Sequence, residues 1–326
     1  MNEDAADGFT QLRFAADGGV MLAGRDYPPA RGGGPPAPLP LVCLPGLTRN
    51  ARDFHDLAVA LSQDAETPRR VLAFEFRGRG ASDYADPQTY TVAQEARDTI
   101  DGLAAAGIHA AAFLGSSRGG IVTMVLAAQR PDLVRAAILN DIGPLIARKG
   151  LARIAAGVGR APAFADWDAA AEALRAAQGE MFPALERDDW LRYARQLCRE
   201  TATGVVFDYD PALAAVFADA GPDAPLPDLW PLFRGLALRP MMVIRGALSD
   251  ILTAATVEAM RRTASDLTLI VVDGQGHAPL LWDRPTQDAV EAFLTRLGHA
   301  RPQPSRADGP HPARPAPARR ESAGPP

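Results

Sequence analysis

The chain has 326 residues, 47% of them hydrophobic and 22% charged, with a net charge of -5. It is long enough to bury a large core as one big domain or as a domain with an insert, and the lack of a basic stripe in its body argues against a nucleic-acid partner. An acidic opening with no apolar stretch behind it, and no later run both long and uncharged, exclude a secretory signal and a membrane span and lead us to expect a cytoplasmic protein without a membrane partner.

In chain order, residues 9–14 and 20–27, separated by Asp17-Gly18-Gly19, read as a β-hairpin, followed by a Pro/Gly-rich loop over 28–38. Residues 40–44 form a buried strand ending in Pro45-Gly46-Leu47-Thr48, and 53–62 an amphipathic helix with Phe54, Leu57 and Leu61 on one face. The run 70–76 is a further strand, closing on Arg77-Gly78-Arg79-Gly80-Ala81-Ser82-Asp83, and 91–106 carries Val92, Ala96, Ile100 and Leu103 at helical spacing. A strand over 110–115, a helix from Gly120 to Gln129 and a strand over 134–140 follow. Short apolar strands alternating with helices imply right-handed crossovers and a mostly parallel α/β sheet.

The rhythm stops at Asp141-Ile142-Gly143-Pro144. Residues 145–236 show helical patterns and no convincing strand, with Asp166 as the expected N-cap of 167–178 and Asp188 as that of 189–199. Alternation resumes with a strand at 239–245, a helix around 254–262, a strand at 267–272 and a helix at 286–297. The expected organisation is therefore a core of 1–144 and 237–298, a helical cap of 145–236, and a disordered tail of 299–326 rich in Pro, Arg and Ala. Cys43 and Cys198 are far apart and read as reduced, buried thiols.

Between the strand at 110–115 and the helix after it stands Gly115-Ser116-Ser117-Arg118-Gly119, a G-x-S-x-G pattern. A serine in a tight strand-to-helix turn has its Oγ raised above the sheet at a helix N-terminus, and glycines on either side let the two backbones pass closely. A serine hydroxyl attacks a carbonyl only with a base to take its proton. Of the five histidines, His299 and His311 lie in the tail, His109 at the wrong end of the elbow strand and His55 near the first crossover helix. His277 remains, in Gly274-Gln275-Gly276-His277, at the C-terminal end of the last strand, where ligands of open α/β sheets gather. The acid that orients it follows the serine and precedes the histidine; Asp250, just past the preceding strand, is the choice, and Asp141, just past the strand after the elbow, the competitor. Structural readings for the two are a helix N-cap for Asp250 and an Asx-turn or cap for Asp141. Backbone N–H groups of Arg118 and Leu47 are the expected donors to an oxyanion.

With these residues assembled, the chain resembles the α/β-hydrolase fold superfamily from about Phe9 to Leu297, with the insert as its cap. The resemblance rests on Leu44-Pro45-Gly46-Leu47, Phe76-Arg77-Gly78-Arg79-Gly80-Ala81-Ser82, the Gly115 to Gly119 turn, Leu248-Ser249-Asp250 and Gly276-His277. Pro45-Gly46 stands where many relatives carry His-Gly, and Arg118 where carbon–carbon-bond hydrolases and enol-lactonases carry methionine. Serine rather than aspartate at 117 speaks against haloalkane dehalogenases and epoxide hydrolases.

The resemblance implies a serine hydrolase, without cofactor or metal, that acts on a small or medium carboxylic ester or lactone through an acyl-enzyme. The alternatives are a carbon–carbon-bond hydrolase of a ring-fission-type diketone, or a non-catalytic ligand-binding relative. Its partner is a small acyl substrate.

Overall fold

A computed structural model describes residues 8–30, 37–160, 163–217 and 226–298. The expected tail, with His299 and His311, and part of the 28–38 loop lie outside the described residues.

The expected hairpin forms as β1 (Thr10–Ala15) and β2 (Met21–Tyr27), paired antiparallel. They flank an eight-stranded sheet with β3 (Leu41–Leu44), β4 (Val71–Glu75), β5 (Ala111–Ser116), β6 (Val134–Asn140), β9 (Met241–Gly246) and β10 (Leu267–Val272), in the order β1-β2-β4-β3-β5-β6-β9-β10. From β4 to β10 every pairing is parallel, the mostly parallel α/β sheet the alternating pattern implies.

The central strands are mostly apolar because both of their faces are covered. On β3, Val42 and Leu44 enter one core while Leu41 and Cys43 enter the other; on β5, Phe113 and Leu114 divide the same way. The first core is closed by α2 (Val92–Ala105), α3 (Arg118–Gln129), α7 (Trp230–Leu236) and α8 (Ala254–Thr263), through Leu103, Val122, Phe233 and Val257. Helices α1 (His55–Ser62) and α9 (Arg284–Arg296) close the second, through Leu57, Leu61, Val290 and Phe293. Burying each such side chain stabilises the fold by about 1.5–3 kcal/mol. No described helix is long and apolar enough to cross a membrane.

Between β6 and β9 lie α4 (Arg148–Gly157), α5 (Trp167–Gln178) and α6 (Arg187–Leu197). Asp166 caps α5 as expected, accepting from the N–H of Ala169 at 2.8 Å. Helix α6 begins earlier than Asp188 implies: Glu186 is its N-cap, in a reciprocal capping box with Asp189. The segment also holds a hairpin that its sequence pattern does not announce, β7 (Cys198–Thr201) against β8 (Gly204–Phe207). Four-residue strands carrying Arg199 and Glu200 give too short an alternation to recognise, and pairing of Val205 with Phe164 holds the hairpin in place. Ala170, Leu174, Phe182, Trp190 and Tyr193 form a small core that takes in Leu280 from the segment between β10 and α9.

This insert is stitched to the sheet layer on one side. The Arg52 guanidinium donates to the Gln196 carbonyl and pairs with Asp208 at 2.7 Å, and Tyr90 donates to Asp210 at 2.5 Å. The glycine turn after β4 adds backbone bonds, Gly80 N–H to Asp208 C=O and Asp210 N–H to Gly78 C=O.

Candidate active site

Ser117 occupies the junction between β5 and α3, with φ 50° and ψ -116°. That backbone region costs a residue with a Cβ of order 1–3 kcal/mol and persists only where the surroundings over-determine it. Here the Ser117 N–H donates to the Asn140 carbonyl and its own carbonyl accepts from Gly120, both at 2.9 Å. A methyl on Gly115 would overlap the Gly120 amide, and one on Gly119 the Leu44 carbonyl. Only glycine at both positions lets strand, helix and the end of β3 meet this closely.

His277 lies in the loop between β10 and α9, with its side chain 7% exposed. Its Nε2 is 2.8 Å from Ser117 Oγ and its Nδ1 is 2.8 Å from Asp141 Oδ2. An ionised carboxylate only accepts hydrogen bonds, so Nδ1 carries the proton and Nε2 is left to accept from the serine hydroxyl.

The acid at the histidine is therefore Asp141, and the choice of Asp250 is corrected. Both follow the C-terminal ends of adjacent strands, β6 and β9. At Asp141 the backbone turns to φ 56°, and the fully buried carboxylate accepts from the Gly246 N–H at 2.9 Å and the Ser249 hydroxyl at 2.5 Å. Asp250 instead accepts from Nε and Nη2 of Arg153 on α4, at 2.7 and 2.9 Å. Nor is Asp250 a helix cap, because Thr253 caps α8. Asp141 is likewise more than the turn or cap its structural reading allowed.

Asn140 joins these parts. Its side-chain amide donates to Ser116 Oγ at 3.1 Å and to the Pro279 carbonyl at 3.0 Å, so one residue braces the elbow, the acid beside it and the histidine loop. Sequence reasoning missed it, although it ends a buried strand directly before an aspartate.

The loop after β3 runs beside the serine: a Cβ on Gly46 would sit 3.7 Å from Ser117 Cβ, and Gly46 and Leu47 line the same cavity as Ser117. Arg118 is the first residue of α3, where a backbone N–H has no acceptor within the helix. Its side chain leaves the site, donating to Glu95 at 2.6 Å and to the Tyr90 carbonyl at 2.9 Å. The other Glu95 oxygen lies 2.9 Å from Arg79, and Arg79 Nε donates to the Leu47 carbonyl at 2.8 Å. Arg79 and Glu95 are both fully buried. Burial pulls the Arg79 guanidinium below its ordinary pKa, opposed by the Glu95 carboxylate. One buried ionic chain thus ties Leu47 to Arg118, which accounts for the arginine–glycine turn and for an arginine after the serine. Glu95 gave no signal in the sequence, lying unmarked on an amphipathic helix.

Above Ser117 opens a cavity of about 560 Å³. Its far wall comes from the insert, with Arg153, Tyr193, Phe207 and Tyr209, whereas Phe182 and Trp190 do not line it and pack in the small core that the insert shares with Leu280. Among the described residues no group of three or more His, Cys, Asp or Glu is placed to hold a metal ion.

A model of the alpha/beta hydrolase family matches residues 41–292. The chain belongs to the alpha/beta hydrolase family. It is 40% identical to a crystallised alpha/beta hydrolase from Novosphingobium aromaticivorans, with a TM-score of 0.81 over 89% of this chain and 99% of that one. It is 33% identical over 265 residues to a 3-hydroxybutyrate-oligomer hydrolase of Cupriavidus necator, covering 79% of this chain and 88% of that protein. A 2-(acetamidomethylene)succinate hydrolase of Mesorhizobium japonicum is 29% identical over 233 residues, or 71% of this chain and 79% of that one. As a member of this hydrolase family, the chain carries a site whose broad activity is hydrolysis.

Proposed function

We propose that this hydrolase cleaves a small or medium carboxylic ester or lactone through an acyl-enzyme on Ser117. The observation that carries the reading is the hydrogen-bonded chain Ser117–His277–Asp141, with both contacts at 2.8 Å. Ser117 Oγ attacks the carbonyl carbon as its proton passes to His277 Nε2, and Asp141 stabilises the imidazolium. The N–H groups of Leu47 and Arg118 receive the tetrahedral oxyanion, each such donor contributing about a hundredfold or more in rate. Collapse expels the alcohol, which takes the proton from Nε2. Water then attacks the acyl carbon with His277 again as base, releasing the acid and restoring the serine hydroxyl.

The likeness to a 3-hydroxybutyrate-oligomer hydrolase supports an ester substrate, because units of a hydroxy acid join through carboxylic ester bonds. In this reading the insert acts as a cap that selects the acyl or alcohol group through its side of the cavity.

Turnover of p-nitrophenyl acetate and butyrate by the wild type and by Ser117→Ala tests the assignment. Loss of turnover in the variant is expected, and equal turnover rejects Ser117 as the nucleophile.

A further inference from the structure

Arg153 is the feature of the cavity that acyl transfer leaves unused. It stands on α4, in the wall opposite the sheet, in the same cavity as Ser117 and His277. Its side chain is 35% exposed, against 9% for its partner Asp250. A half-buried ion pair is weak evidence of stabilisation, since desolvating two charges offsets much of their attraction. Its position therefore calls for another account.

The three arginines on the cavity wall differ in what they have left to offer. In Arg49, Nε and Nη2 bond to Asp53 and Nη1 to the Tyr193 hydroxyl, so every nitrogen has a partner. Arg160 is exposed. In Arg153 only Nε and Nη2 are bonded, both to Asp250, and no hydrogen bond among the described residues engages Nη1. Arg153 lines the cavity and Asp250 does not, so of the two charged residues only the cationic one borders the ligand space. The bidentate contact also fixes the guanidinium in one orientation before a ligand arrives, which removes part of the ordering cost of binding. Gly150, one turn earlier, packs so closely on this loop that a Cβ there would be 2.5 Å from the Asp250 carbonyl oxygen, and this seats α4 against it.

From this geometry we infer that the natural substrate carries a free carboxylate, bound through the open edge of Arg153 and remote from the ester that Ser117 attacks. Asp250 is then a positioning residue for the substrate's anchor. The inference rests on the serine-hydrolase reading above and adds the substrate class. A hydroxy-acid oligomer has the required form, an internal ester with one carboxylate end, and guanidinium–carboxylate hydrogen bonds are among the strong ones.

The test compares two substrates, the linear dimer of 3-hydroxybutyrate with its carboxyl free and the same dimer with that carboxyl converted to a primary amide. Each has one ester, so kcat/KM for the pair reports recognition of the charge. The wild type is expected to prefer the free acid by about tenfold or more, Arg153→Gln to lose that preference mainly through KM, and Arg153→Lys to keep part of it. If Arg153→Gln does not fold, the lysine variant carries the comparison, and inhibition of wild-type p-nitrophenyl acetate hydrolysis by free 3-hydroxybutyrate, stronger than by its amide, gives the same answer without a variant. A wild-type ratio near one, or an unchanged ratio in a folded variant, overturns the inference while leaving the nucleophile intact. Undiminished cleavage of the amide dimer by Ser117→Ala would instead overturn the serine-hydrolase reading.

Discussion

His277 meets Asp141, 136 residues earlier in the chain, at 2.8 Å, while Asp250, 27 residues earlier, is held by an arginine of the insert. Replacing Asp141 with asparagine exchanges a carboxylate that only accepts for an amide that can also donate, so the Nδ1–H tautomer is no longer selected. We expect kcat on p-nitrophenyl acetate to fall by about 10³–10⁴, as for loss of the orienting aspartate in serine proteases. Asp250→Asn should cost at least a hundredfold less, and steady-state kinetics on the two variants decide between them.

Asp250 should also mark the acid limb of stability. Burial raises the pKa of its carboxyl, but the hydrogen-bonded charge of Arg153 outweighs that and holds it below its ordinary value. A carboxyl depressed in the folded state stabilises at pH above its unfolded pKa of about 3.9, and that contribution is lost as pH falls through the folded value. Asp250→Asn is therefore expected to lower Tm at neutral pH, with the gap to the wild type narrowing below about pH 4 in thermal melts. A gap that stays constant into acid would contradict the pairing.

Glu95 balances two guanidiniums at once, Arg79 and Arg118, where neither Arg79 nor Glu95 touches solvent. Glu95→Gln leaves buried positive charge uncompensated and should destabilise the fold by about 3–5 kcal/mol in urea unfolding. Where the variant still folds, the affinity of a boronic acid that mimics the tetrahedral intermediate should drop more than substrate KM rises. The chain through Arg79 to the Leu47 carbonyl sets one proposed oxyanion donor relative to the other.

Asn140→Ala removes the brace between the elbow and the histidine loop. The lost buried hydrogen bonds cost about 1–3 kcal/mol. We expect kcat to fall about tenfold or more with a smaller change in KM, because the reacting groups lose alignment while Asn140 is only one of the many residues that line the cavity. A KM increase without a kcat loss would show that Asn140 serves binding instead.

The elbow and the sheet were legible because their causes are local. Gly115 and Gly119 flank Ser117 at the spacing that close backbone passage demands, and the apolar runs of β3, of β5 up to Gly115 and of β6 from Ala136 to Leu139 announce strands covered on both faces. Elimination among five histidines led to His277, since chain order alone puts it at the strand end where the serine opens. The expected caps divided on the same line: Asp166 precedes its helix and caps it, whereas Asp188 falls inside the first turn of a helix whose box closes through Glu186 and Asp189.

What the chain determined by itself is the alternation of strand and helix, the position of the proposed nucleophile and the histidine that meets it, all of which depend on residue spacing within one strand, turn or loop. Which carboxylate serves the histidine depended on the tertiary structure. Asp141 and Asp250 both follow the ends of neighbouring parallel strands, and nothing within either segment separates them. The left-handed turn at Asp141, the donors at Gly246 and Ser249, and the guanidinium that α4 brings from the insert to Asp250 leave Asp141, and not Asp250, beside His277. Those contacts join segments about a hundred residues apart, and electrostatics at hydrogen-bond distance is decided only when folding brings the charges together.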